Sequence, residues 1–296
     1  MNYYIYGFTD KGNYRHHNED AMLVGHNIIQ NGGIEATVSA PSLTAVCDGV
    51  GGEHKGEIAS RLCLQYLSTI KYSTATEMSH EVLKIHNNIK KYGVDHNHVN
   101  MQTTLCCLAI DENGSGMCVN VGDSRLYRYV NGKVRQISTD QTYGRFMYEQ
   151  GEINDIDELE PKMRSALISS MGSVMQEPKI DCIPFTTYFG KEDDDTVFLC
   201  SDGFSDFVST DEIEIAMSLD LPFKDKIEAL CELALKNGSM DNISIIGIKP
   251  YRSEEELEKI TAPVVEEPFV PEIATEEKDL ADKSIADLEQ LINDLS

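Results

Sequence analysis

Apolar residues along the chain fall into two textures that exchange several times. Residues 3–9 alternate loosely and carry aromatic side chains, which predicts an opening strand; a polar turn and a short apolar run at 21–24 follow. Residues 43–47 are continuously apolar and stop at Asp48 among glycines, as a buried strand running into a loop would. The same grammar returns at 196–201, where Thr-Val-Phe-Leu-Cys-Ser meets Asp202-Gly203. Between them, Ile58, Leu62, Tyr66 and Ile70 stand four apart, and Met78, Val82, Ile85 and Ile89 repeat the pattern. This spacing predicts amphipathic helices over 57–70 and 77–91.

From residue 101 the texture is β. Runs at 103–110, 116–121 and 125–130, separated by turn residues that include Gly122-Asp123-Ser124 and Asn131-Gly132-Lys133, predict an antiparallel meander with tight turns. Residues 27–42 read as a hairpin-like excursion. Residues 138–182 are mixed, with helical pieces at 145–150 and 162–170 and an acidic loop at 154–160, more a flap than a core element. A helix at 224–236 and a strand at 243–248 complete the pattern, with Asp241 at the strand's entrance. Past residue 250 there is no sustained β pattern, three prolines and 14 acidic against 4 basic residues, the composition of a flexible linker. Its last turns place Ile285, Leu288, Ile292 and Leu295 on one helical face.

At 296 residues the chain supports one large domain and a tail. Its 25 basic and 50 acidic residues, net charge −25, argue against nucleic-acid and anionic-membrane partners, which demand a positive surface. The 8 cysteines show no CxxC pairing, and seven (Cys47, Cys63, Cys106, Cys107, Cys118, Cys200 and Cys231) lie in apolar runs, so they read as reduced packing residues. With no basic-then-apolar leader and no run of 18 apolar residues, the expected location is the cytoplasm.

Asp48 and Asp202 each end a strand and are each followed by glycine. Two such carboxylates brought together repel unless a cation lies between them, and aspartate's hard oxygens suit magnesium or manganese better than zinc. Residues 9–20 add Arg15, His16, His17, Glu19 and Asp20 in one loop. Taken singly, an Asp-Gly is an ordinary turn, Asp123 fits a hairpin, Arg15 fits a local ion pair, and His16, His17 and His54 fit an exposed surface.

Taken in order, Arg15-x-x-Asn18-Glu19-Asp20, Asp48-Gly49-x-Gly51-Gly52, Thr103-Thr104, Gly122-Asp123-Ser124-Arg125, Ser201-Asp202-Gly203 and Asp241-Asn242 closely resemble the metal-dependent type 2C serine/threonine protein phosphatases, especially bacterial members. The likeness covers residues 5–250, and Glu149 to Ile153 and Ser169 to Gly172 resemble the bacterial flap and its exit. It implies an α+β fold: a four-layer α-β-β-α sandwich of two antiparallel sheets flanked by helix pairs, with metals at one end. It also implies a phosphatase domain at 1–250, with its flap at about 138–182, and an acidic tail at 251–296 carrying a short amphipathic helix. By the same motifs Asp48 would bridge two Mn2+ or Mg2+ ions, Gly49 would offer its carbonyl, and Asp202 and Asp241 would complete the set. Glu19 and Asp20 would hold metal-bound waters, Arg15 would grip the phosphate, and Asp123 would help bind a third, weaker metal.

The implied reaction is hydrolysis of phosphoserine and phosphothreonine on proteins by a metal-activated water, opposing a bacterial serine/threonine kinase, in a monomer. The alternatives are a phosphatase-fold binding or regulatory module with little turnover and, more remotely, an unrelated metal-dependent phosphoesterase. Two departures stand out. Val50 occupies the place of the histidine thought to protonate the leaving group in animal relatives, with His54 four residues on as a substitute and the general acid open. Gln141 follows Asp140 where many relatives have histidine.

Overall fold

The computed structural model describes residues 1–50, 55–71, 74–191 and 194–251; the glycines at 51 and 52, His54 and the expected tail helix at 285–295 lie outside them. The strands are β1 (Asn2–Asp10), β2 (Ala21–Val24), β3 (Asn27–Ile29), β4 (Gly32–Ser39), β5 (Ser42–Cys47), β6 (Gly49–Val50), β7 (Gln102–Thr103), β8 (Leu105–Ile110), β9 (Gly116–Val121), β10 (Arg125–Val130), β11 (Lys133–Gln136), β12 (Asp181–Thr186), β13 (Thr196–Cys200) and β14 (Ile243–Tyr251). The helices are α1 (Lys55–Leu67), α2 (Ala75–Asp95), α3 (Tyr143–Glu149), α4 (Pro161–Arg164), α5 (Asp202–Ser205), α6 (Thr210–Ser218) and α7 (Phe223–Lys236), with a 3-10 turn at Ile156–Glu158. One antiparallel sheet runs β11-β10-β13-β14-β1-β4 and the other β12-β9-β8-β5-β2-β3, with β6 and β7 forming a short ribbon.

Strands such as β8 and β13 read as unbroken apolar runs because both their faces are covered. In β8, Cys106, Leu108 and Ile110 point between the sheets, and Leu105, Cys107 and Ala109 point under α1 and α2. In β13, Val197 and Leu199 face the other sheet while Phe198 and Cys200 meet α6 and α7. Three apolar layers therefore separate four structural ones, the α-β-β-α sandwich the motifs imply. All eight cysteines are free thiols, and the seven assigned to the core are buried.

Several local expectations are corrected. On α1 the residues sealed beneath the helix are Ala59, Cys63, Leu64 and Leu67, one position on from the expected stripe, whose members pack at the margin. That helix stops before Ile70 because the Ser68 and Thr69 hydroxyls donate back to the Gln65 and Tyr66 carbonyls at 2.8 and 2.7 Å. The stretch 27–42 is not a self-contained hairpin: β3 folds back on β2, while β4 crosses to the other sheet and pairs with β1.

The predicted meander is likewise broken. β9 pairs with β8 and β12, whereas β10 pairs with β11 and β13, so Gly122-Asp123-Ser124 is a crossing between sheets. Gly122, at φ 103°, does not turn back on β9 because Gln141 holds its peptide from both sides: Gly122 N donates to the Gln141 side chain at 2.9 Å and Gln141 N donates to the Gly122 carbonyl at 3.1 Å. Asn131-Gly132 does form the expected hairpin turn, with both residues at positive φ.

In the flap stretch, α4 ends at Arg164 and residues 166–171 are extended, tied by Tyr143 N donating to the Ala166 carbonyl at 2.8 Å and by bridges Thr142↔Leu167 and Thr103↔Met171. The elements with no counterpart in the pattern include β12 and α6. β12 contains Pro184, which an edge strand tolerates. α6 is announced by a capping box in which Ser209 and Glu212 each take the other's backbone N–H.

Candidate active site

Aspartates from loops far apart in sequence meet at one end of the sandwich. Asp48 sits between β5 and β6, where its carbonyl accepts from Thr104 N and Thr103 Oγ1, both at 2.8 Å, and its N–H donates to Thr104 Oγ1 at 2.9 Å. Thr104 Oγ1 also bonds Ser124 Oγ at 2.7 Å, so one threonine fixes the backbones beside both Asp48 and Asp123. Gly49 is wedged between the start of α1 and the opening loop; a Cβ there would lie 2.2 Å from the Gly56 carbonyl oxygen and 2.6 Å from that of Glu19. Asp202 opens α5 directly after β13, and Asp241 lies just before β14.

The opening loop is held by a residue to which the sequence reading gave no role. Asn242 donates to the Lys11 and His17 carbonyls at 3.0 and 2.9 Å and accepts from Glu19 N at 2.9 Å. Its position next to Asp241 in the motif was the available signal. Arg15 thereby reaches the mouth of the site and donates Nη2 to Asp241 Oδ2 at 2.6 Å. Asp20 is fully buried, its Oδ2 accepting from Ser201 at 2.7 Å and Ser244 at 2.6 Å. These two serines, on either side of it, were also missed.

A cleft of about 430 Å3 is lined by Arg15, Glu19, Asp48, Gly49, Asp123, Asp202 and Asp241 among others. Asp20 lies beneath it. The crowding shows in the proton affinities. Burial, reinforced by Asp20, Asp202, Asp241 and Asp123, raises Asp48 well above the usual carboxylate range. Burial and Asp241 push Asp202 up to about 6. Burial pushes Asp20 up to about 7 against the opposing pull of the Ser244 and Ser201 hydroxyls, and burial with Asp202 raises Asp123 as well.

Asp20 Oδ1 and Asp202 Oδ1 are buried with no hydrogen-bond partner among the described residues. Hard, unpartnered anionic oxygens in one cluster fit a divalent cation such as Mg2+ or Mn2+. As the side chains stand, no three His, Cys, Asp or Glu among the described residues converge on one point, Asp241 being turned toward Arg15. The fit therefore rests on donor chemistry and the two unpartnered oxygens, and Asp241 joins the set only by releasing Arg15. Val50 is 42% exposed at the rim and has no proton to donate. Gln141, the other departure, is buried and ties the crossing at Gly122 to the entrance of β12 through Lys179 O and Asp181.

A two-sheet α+β sandwich with an arginine beside clustered aspartates at one end defines a class, and comparison with known proteins gives the same one. Residues 31–244 match the family described as Protein phosphatase 2C; the chain belongs to that family, and with it to the serine/threonine protein phosphatases. It is 28% identical over 247 residues to the serine/threonine phosphatase stp of Listeria welshimeri, covering 80% of this chain and 92% of that one. Its fold is similar to that of the S. agalactiae serine/threonine phosphatase (TM-score 0.70, 22% identity, 83% of this chain and 99% of that one). The catalytic domain of the phosphatase PstP, solved in complex with two manganese ions, is 25% identical with a TM-score of 0.65, over 84% of this chain and 99% of that one.

Proposed function

We propose that this chain hydrolyses phosphoserine and phosphothreonine on proteins and does so with two divalent cations, Mn2+ or Mg2+, held by Asp48, Asp202, Asp241 and the Gly49 carbonyl. Glu19 and Asp20 orient water around them, and Asp123 serves a third, weaker ion. The observation that carries this reading is the meeting of buried aspartates from separate loops, two of them with unpartnered oxygens, beside a guanidinium. When bound, such cations neutralise phosphate charge and make water a stronger nucleophile near neutral pH.

The chain's own groups do the rest. Arg15, half-exposed at the mouth, has the planar fork that matches two phosphate oxygens, and it is free to take them once Asp241 turns inward. Thr103 and Thr104 hold the Asp48 backbone so that its carboxylate stays aimed at the cleft, and the Ser201 and Ser244 hydroxyls donate to Asp20 and offset part of the cost of charging it in its buried place. His54, the candidate proton donor in place of Val50, lies outside the described residues.

We read residues 1–250 as the phosphatase domain and 251–296 as an acidic tail, in a cytoplasmic monomer that opposes a bacterial serine/threonine kinase. No helix among the described residues is long and apolar enough to cross a membrane. The deciding experiment is hydrolysis of a phosphothreonine peptide with manganese, with and without chelator. Turnover that needs the metal is the expected result; full turnover in chelator after exhaustive dialysis overturns the mechanism.

A further inference from the structure

Beside the aspartate cleft lies a second one of about 480 Å3, and the two share Asp123, Ser165 and Asp202. Its outer wall is basic. Arg125, Arg135, Arg145 and Arg164 line it, four of the eight arginines in a chain of net charge −25. Arg125 is fully engaged: it grips Asp140 through Nε and Nη2 at 2.8 to 3.1 Å, reaches Asp206 at 3.1 Å, and donates to the Ser205 carbonyl at 2.9 Å. Arg125 offsets one of those two acids, and Asp123 and Asp202 keep the inner wall acidic. The other three arginines concentrate positive charge on the outer wall, away from the shared aspartates.

Arg135 is exposed on β11 and has no ion-pair partner among the described residues. Arg145 pairs with Glu149 at 2.8 Å and Arg164 with Asp157, but both pairs are exposed and neither acid lines the cleft. Exposed pairs of this kind contribute at most about 1 kcal/mol and exchange partners readily. Both lie within the flap stretch and do not bind it to the sheets, so holding the flap down does not account for the cluster, and it leaves Arg135 without a role.

Resting on the phosphatase reading of the neighbouring centre, we propose that this cleft is a substrate subsite, in which Arg135, Arg145 and Arg164 receive a second anionic group of the peptide, a carboxylate or a further phosphate close to the phosphoresidue being cleaved. A peptide whose phosphate sits among Asp48, Asp123 and Asp202 leaves the centre past Ser165, the one residue besides Asp123 and Asp202 that belongs to both clefts. On a strongly acidic protein an acidic flank would otherwise be repelled. Three guanidiniums on the outer wall offset that repulsion at this exit, and their planar forks match carboxylate and phosphate alike.

The test compares one phosphothreonine sequence with neutral flanks, with glutamate flanks and with a second phosphothreonine, using the full chain with manganese. We expect kcat/KM to rise about fivefold to tenfold for either anionic flank, through KM, and the difference to fall toward one in Arg135→Gln/Arg145→Gln and to return in part in Arg135→Lys/Arg145→Lys. A gain with the second phosphate alone assigns the subsite to phosphate, and a gain with glutamate alone assigns it to carboxylate. The same peptides, fluorescently labelled, are titrated against the Asp202→Asn chain by anisotropy. No turnover of any peptide by the unaltered chain, with the affinity difference retained, would defeat the phosphatase reading and leave the subsite standing. Equal affinity and equal kcat/KM for neutral and anionic flanks, or a preference untouched by the double variant, overturns the subsite.

Discussion

Arg15 Nη2 and Asp241 Oδ2 lie 2.6 Å apart across the mouth of the aspartate cleft, joining the residue proposed to meet substrate to one proposed to hold metal. Their side chains are 50% and 36% exposed, so the pair is worth about 1 kcal/mol or less and yields to either proper ligand. Arg15→Ala should raise KM for a phosphopeptide about tenfold to a hundredfold, because charged hydrogen bonds to phosphate are lost, while manganese affinity moves by less than about fivefold. A manganese titration beside a substrate curve checks both. Unchanged KM and kcat would make Arg15 a structural ion-pair partner instead.

Asp48→Asn and Asp202→Asn should each cut turnover by on the order of a thousandfold. The metal-free fold should survive, since each change removes one of several mutually repelling buried charges. Rate and thermal melting in chelator measure the two effects separately, and wild-type rates in either variant would displace the assigned centre.

In chelator, stability should fall as pH rises. Asp20 and Asp202 titrate at about 7 and about 6 in the folded chain, against about 4 when unfolded, so between those limits the folded state binds more protons. Their contribution is complete below about pH 4 and is lost as pH rises through 6 to 7. A lower melting temperature at about pH 8 than at about pH 5 is expected, with a shallower slope in Asp202→Asn and recovery at the higher pH on adding manganese. A flat profile in wild type would mean that the carboxylates do not repel as described.

Asn242→Ala strips partners from Lys11 O, His17 O and Glu19 N together and should destabilise the chain by about 2–3 kcal/mol. It should also raise KM, since Arg15 rides on that loop. Denaturant titration and a substrate curve would show both; a loss of stability with KM unchanged would separate the loop from phosphate binding.

A chain ending at Tyr251 should fold and hydrolyse a small phosphopeptide at close to the full-length rate, since among the described residues every strand of both sheets lies at or before that residue. An insoluble or inactive product would place residues after 251 in the core.

Both strand-end aspartates were legible because burial and chemistry leave one mark, an apolar run and then an acid beside glycine, and the existence of α1 and α2, though not their ends, was legible in apolar residues four apart. What was not legible depends on tertiary partners. Gly122-Asp123-Ser124 has the composition of a hairpin turn, and only Gln141, nineteen residues on, keeps it from being one. The true buried face of α1 was hidden because Ala59 and Cys63 are less conspicuous than Ile58 and Leu62, although the small residues are the ones that approach the sheet. Ser244 carries no pattern at all, and Ser201 and Asn242 show only as motif neighbours of Asp202 and Asp241; the roles of all three arise from what the fold sets opposite them.

The first strand of the chain is paired along its whole length with the last, Asn2 opposite Tyr251 and Asp10 opposite Ile243. On the ribosome this means that β1 is made long before its neighbour exists, and at about 5–20 residues per second the wait is on the order of ten seconds or more. During that interval a nascent chain has β1 without the partner that completes the centre of its sheet. Asp20 lies shortly after β1 and Asp241 shortly before β14, so a product that stops before β14 lacks the pairing that sets these two aspartates side by side. Assembly of the centre is thus coupled by topology to the synthesis of β14, and the two ends of the described chain close the site together.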